Sequence, residues 1–160
     1  MKRFVPVALA SLVLVAMAAT ASAHCQIPCG IYNDELRVQL IEEHITTIEK
    51  SMKQIVELGK TEPVNYNQLV RWIDNKETHA TEIQDIVTAY FMAQRIKAPE
   101  STGDEAAMKE YLHKLALLHA IQVHAMKAKQ GTDLGEIQIL RDLVGEFRAA
   151  YFGKEAGHSH

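Results

Sequence analysis

Residues 34–58 read DELRVQLIEEHITTIEKSMKQIVEL. Leu36, Leu40, Ile41, His44, Ile45, Ile48, Met52, Ile55 and Val56 recur at steps of three and four, which puts them on one face of a helix. Asn33 or Asp34 offers the side-chain oxygen of an N-cap, and Gly59 with Pro63 ends the run near Leu58. The pattern returns three times. Leu69, Trp72, Ile73, Ala80, Ile83, Val87, Tyr90 and Phe91 carry a second helix that stops before Pro99. Ser101 to Asp104 supplies capping oxygens for a third, with Met108, Tyr111, Leu112, Leu115, Leu118, Val123 and Met126, closed by Gly131. Asp133 starts a fourth with Leu134, Ile137, Leu140, Leu143, Val144, Phe147 and Tyr151, and Gly153 lies behind it. These runs predict an all-α chain, an antiparallel up-down four-helix bundle over residues 34–153, with the apolar stripes as its core. Residues 154–160 read as a flexible tail.

Composition agrees with that class. The chain has 160 residues, suited to one domain, with 48% hydrophobic and 23% charged residues. That balance excludes a disordered chain and a basic nucleic-acid binder, and two cysteines exclude a disulfide-built scaffold. Residues 1–23 read as a separate signal peptide. Met1-Lys2-Arg3 is positive, residues 4–19 are apolar, and Ala21-Ser22-Ala23 has the small-x-small pattern of a cleavage site. The apolar run is short for a membrane span of ~20 residues. Cleavage after Ala23 would start the mature chain at His24 and remove Lys2 and Arg3. That leaves 15 of the 17 basic residues against 20 acidic ones, a net charge of −5. The expectation is an exported protein, periplasmic or extracellular, with no membrane segment after cleavage.

Chemistry in the bundle interior is poorly signalled. Paired Glu-x-x-His motifs would hold two metals, but within the expected helices only Glu110 and His113 have that spacing, and His79 with Glu82 has the reverse order. His113, His119 and His124 lack the four-residue step of a ligand pair, and His158 and His160 fall at the tail. No phosphate-binding glycine loop or nucleophile elbow occurs. The bundle reads as a scaffold.

The segment before it is different: His24-Cys25-Gln26-Ile27-Pro28-Cys29-Gly30-Ile31-Tyr32. Both cysteines of the chain lie here. In an exported chain they suit a disulfide, whereas structural zinc wants four ligands and only three Cys or His sit here. A third reading uses the cleavage point, because a free α-amine on His24 has a pKa of about 8. That amine, the imidazole, the Cys25 amide and two thiolates are nitrogen and sulfur donors within six residues, a set that points to nickel(II) or copper(II). On the residues alone a disulfide, a redox-active thiol pair, a nickel or copper carrier or sensor, and a redox metal centre all remain open.

His-Cys-x-x-Pro-Cys-Gly-x-Tyr at a mature N-terminus resembles the nickel hook of the nickel-containing superoxide dismutases, and His24, Cys25, Pro28, Cys29, Gly30 and Tyr32 all match. The resemblance implies a hook over residues 24–33 ahead of a four-helix bundle, and one nickel ion per subunit. His24 would give its α-amine and imidazole, Cys25 its amide and thiolate, and Cys29 the second thiolate. Pro28 would hold a turn, through a cis bond in the family, and Gly30 would let the chain bend past the metal. Tyr32 would lie over the open axial face and restrict access. The implied catalytic set is therefore His24, Cys25, Cys29 and Tyr32, with His24, Cys25 and Cys29 as metal ligands. The implied reaction disproportionates superoxide to oxygen and hydrogen peroxide through a Ni(III)/Ni(II) cycle. A homohexamer and a nickel-loading or maturation protein follow from the same resemblance, and nucleic acid is no partner. The chain departs from the family where Gln26 replaces a common Asp, and in its leader, which resembles a secretion signal. The family also steadies its His imidazole with a first-helix glutamate and a neighbouring subunit's arginine. Glu42 or Glu43, and Arg71 or Lys76, are the counterparts to weigh.

Overall fold

The computed structural model describes residues 28–101 and 103–153. The proposed signal peptide, His24, Cys25, the Ile27–Pro28 bond and the tail lie outside the described residues. Contacts divide the chain into two units, residues 1–32 and 33–160.

The second unit is all-helical. Helix α1 (Asp34–Leu58) starts because Asn33 turns its side-chain oxygen onto the Leu36 N–H at 3.0 Å. Helix α2 (Tyr66–Asp85) is capped in the same way by Asn65 on Gln68 at 3.1 Å. Asp104 caps α3 (Glu105–Gln130), and Asp133 caps α4 (Leu134–Phe152). Gly153 ends α4 at φ 86°, a left-handed conformation that suits glycine, and its N–H donates to the Ala149 carbonyl. Each helix packs on its sequence neighbour, and α4 closes the ring against α1. With connectors at 59–65, 96–104 and 131–133, this is an antiparallel up-down four-helix bundle.

One segment departs from the expected 3.6-residue winding. The second helix does not run as α-helix to the Pro99 region; Ile86–Arg95 continues α2 as a π-helix. Bonds such as Ile96 N–H to the Phe91 carbonyl, 2.9 Å, span five residues instead of four.

Most stripe residues form the core. Val38, Ile41, Ile45, Ile48 and Met52 of α1 meet Ile83, Val87 and Phe91, with Leu118 and Ile121 of α3 and Leu140, Val144 and Phe147 of α4. Buried Ala80, Ala125 and Ala128 allow close helix approach. Six stripe members are exposed, contrary to their assignment as core: Leu36, Val56, Ile73, Leu112, Met126 and Leu134. Phase explains the α3 cases. The buried run of α3 is Leu117, Leu118, Ile121, Ala125 and Ala128. At about 100° per residue, Leu112 and Met126 lie about 130° or more from its centre.

Two polar groups are buried with partners. Ser51 Oγ donates to the Thr47 carbonyl and accepts from Asn75 Nδ2 at 2.9 Å. Lys76, 3% exposed, donates to the Ala128 carbonyl at 2.8 Å and to the Lys129 carbonyl, which closes the C-terminal turn of α3. No helix among the described residues is long and apolar enough to cross a membrane.

Candidate metal centre

Two of the four expected site residues, Cys29 and Tyr32, are described; His24 and Cys25 lie outside the described residues. Cys29 is exposed and carries a free thiol. Gly30 follows it at φ 79°, where a side chain would be strained although a Cβ would meet open space. The chain therefore bends at the position where the motif has its glycine. Ile31 is 83% exposed and Tyr32 39%. The imidazole, the backbone amides and the two cysteine sulfurs that the sequence places on this short segment form a donor set that fits nickel. Among the described residues, no three His, Cys, Asp or Glu side chains gather as a metal site.

The bundle decides which supporting groups remain open. Lys76 does not fit the role of a cation reaching a neighbouring subunit, because its ammonium is buried on the α3 carbonyls. Arg71 is exposed, beside Gln68, Trp72 and Asn75 on α2. Glu42 meets an arginine of its own chain, Arg148 of α4, at 3.4 Å, and the same guanidinium bonds Glu35. Glu43 is exposed.

The other weighed groups are placed elsewhere. Glu110 pairs with Lys114 at 2.5 Å, and His113 and His119 are exposed on α3. His124 Nδ1 meets Glu136 at 2.5 Å. His44 and His79 face each other across α1 and α2, Nδ1 to Nδ1, at 2.7 Å. Burial and then the His79 ring pull the His44 pKa down, against the pull of Glu82 and Glu43.

Sequence reasoning missed one cluster. Asp34 is not the cap of α1; it accepts from Arg95, Tyr90 and Tyr151. Burial raises its pKa, but the bonds from these three side chains outweigh it, and the net shift is downward. Burial and the Asp34 carboxylate push both phenols up to about 12, so each remains a proton donor at neutral pH. The available signal was that Asn33 and Asp34 cannot both be the cap.

No curated protein and no solved structure matches the chain. A sequence model of a family described as nickel-containing superoxide dismutase does match, over residues 19–155 of the 160. The match takes in residues 24–33 and all four helices, and it supports a dismutase, not a carrier or sensor. On that match, the chain belongs to the nickel-containing superoxide dismutase family.

Proposed function

We propose that His24, Cys25 and Cys29 hold the nickel ion of this superoxide dismutase, with Tyr32 beside it, once removal of residues 1–23 frees the His24 α-amine. The observation that carries the assignment is the nine-residue string His24 to Tyr32, which lies inside the family match. When bound, nickel supplies the one-electron couple by which one superoxide is oxidised to oxygen and a second, with two protons, is reduced to hydrogen peroxide.

The chain's own groups set the conditions for that couple. Two thiolates and a deprotonated amide are strongly donating, which favours a higher metal oxidation state than water ligands would. Coordination by both sulfurs also keeps Cys25 and Cys29 out of a disulfide. Gly30 supplies the bend that follows Cys29. Tyr32 places a phenol at the end of the hook, where it restricts access to small anions. The mature net charge of −5 gives no global attraction for superoxide, so any steering is local.

Export through the leader, to the periplasm or beyond, belongs to the same reading, supported by the Ala21-Ser22-Ala23 pattern immediately before His24. So does assembly into a homohexamer, supported by the family resemblance, with a partner that loads the metal.

The deciding experiment compares the mature chain with two changes. Cys29→Ser should lose tight nickel binding and at least 100-fold of dismutase activity. A mature chain extended by residues before His24 should lose both as well, because the amine is gone. Full activity in either protein, assayed with metal content, would overturn the assignment.

A further inference from the structure

Asp34 is the first residue of α1, and its carboxylate gathers donors from the far ends of two other helical segments. Tyr90 Oη donates at 2.5 Å and Tyr151 Oη at 2.8 Å. Arg95 adds Nε at 2.8 and 3.1 Å to the two oxygens and Nη2 at 2.7 Å. The Asp34 side chain is only 15% exposed. Capping does not explain this arrangement, because Asn33 already caps the helix.

The π winding explains how the donors converge. On an α-helix, Tyr90 and Arg95 would point about 140° apart. A winding with hydrogen bonds to the fifth residue brings side chains five apart onto nearly one face. Both then reach the same carboxylate. The phenols are themselves held: the Tyr151 ring stacks on Phe147 at 5.4 Å and meets Phe91 edge-on at 5.5 Å. The Arg37 guanidinium lies 5.0 Å from the Tyr90 ring centroid.

We propose that Asp34 is a positioning residue for nickel binding: its bonds to Arg95, Tyr90 and Tyr151 fix the first turn of α1, to which residues 24–32 are covalently joined. This rests on the reading that His24, Cys25 and Cys29 hold the metal. Cys29 is five residues from Asp34 along the chain. A fixed attachment removes conformations that metal binding must otherwise remove, so loosening it lowers affinity without touching a ligand.

The test uses the mature chain, with nickel affinity measured by chelator competition and the thiolate-to-nickel absorption band recorded beside it. Asp34→Ala should lower affinity at least tenfold and weaken or shift the band. Ile137→Ala, which truncates a buried side chain about 21 Å along α4 from Tyr151, is the stability-matched control. It should lower the melting temperature while leaving affinity and band unchanged. Unchanged affinity in folded Asp34→Ala overturns the proposal, as does an equal loss in Ile137→Ala. If Asp34→Ala does not fold, Tyr151→Phe keeps the ring and removes one bond; it should cost two- to fivefold in affinity, and no change overturns the proposal. Cys29→Ser separates the two readings, because nickel retained there overturns the ligand assignment whatever Asp34 does.

Discussion

Asn33 and Asp34 are chemically close, yet the fold gives them opposite tasks. Either side chain can accept from a helix's first N–H groups. Asn33 does so on Leu36 at 3.0 Å, which leaves Asp34 free to face inward. Its partners stand 56, 61 and 117 residues away, so no local pattern announces them. The nine-residue string His24 to Tyr32 stood out as a candidate for the opposite reason, since every proposed ligand lies within it. The Asp34 carboxylate also carries a pH signature. Its pKa is lowered in the folded protein below the ordinary 3.8, so the unfolded chain binds the proton first as pH falls. Its contribution is complete above about pH 4 and is lost as pH falls through the lower folded value. Asp34→Asn should cost about 2–3 kcal/mol at neutral pH, the scale of a charge-assisted bond to a carboxylate with little exposure. Urea unfolding at pH 7 and pH 3 would show the gap from wild type narrowing at pH 3. A gap of the same size at both values would mean the charge is not what Asp34 contributes.

Helices were legible where period and punctuation agree. Asp104 and Asp133 cap the helices they were expected to start, and the buried faces of α1 and α4 follow the apolar steps. The π segment was not legible, because ten residues rich in apolar side chains satisfy a period of 3.6 or a wider one about equally. Lys76 escaped for another reason. A lysine on an amphipathic helix normally reads as solvated or reaching outward, but this one fills the bundle and donates to the last carbonyls of α3. Those acceptors have no helical partner of their own. Lys76→Ala should therefore cost about 2–3 kcal/mol. For a domain of this size that lowers the melting temperature by roughly 10 °C. Thermal scans of the mature protein measure it. A melting temperature within a degree or two of wild type would show that water replaces the ammonium without loss.

At the scale of the molecule, the proposed ligands and the hydrophobic core occupy separate parts of the sequence. Among the described residues, every member of the buried cluster, from Val38 to Phe147, belongs to the bundle, and none is among residues 28–33. Two cross-helix polar links with little exposure, Asp34–Arg95 and Lys76 on the α3 carbonyls, also lie within it. This differs from small metal domains, whose folding free energy is largely metal-binding free energy. Binding to the native state alone still adds stability by mass action, growing with the logarithm of nickel concentration over its dissociation constant. That term disappears on stripping; the core does not. Mature protein depleted of nickel by a strong chelator should thus keep its helical circular dichroism and a cooperative melt, while losing dismutase activity and the thiolate-to-nickel band. Returning nickel under reducing conditions should restore both without a refolding step, since the bundle is already formed. A stripped chain without helical signal would place the metal among the determinants of the fold, and the division between scaffold and hook would fail with it.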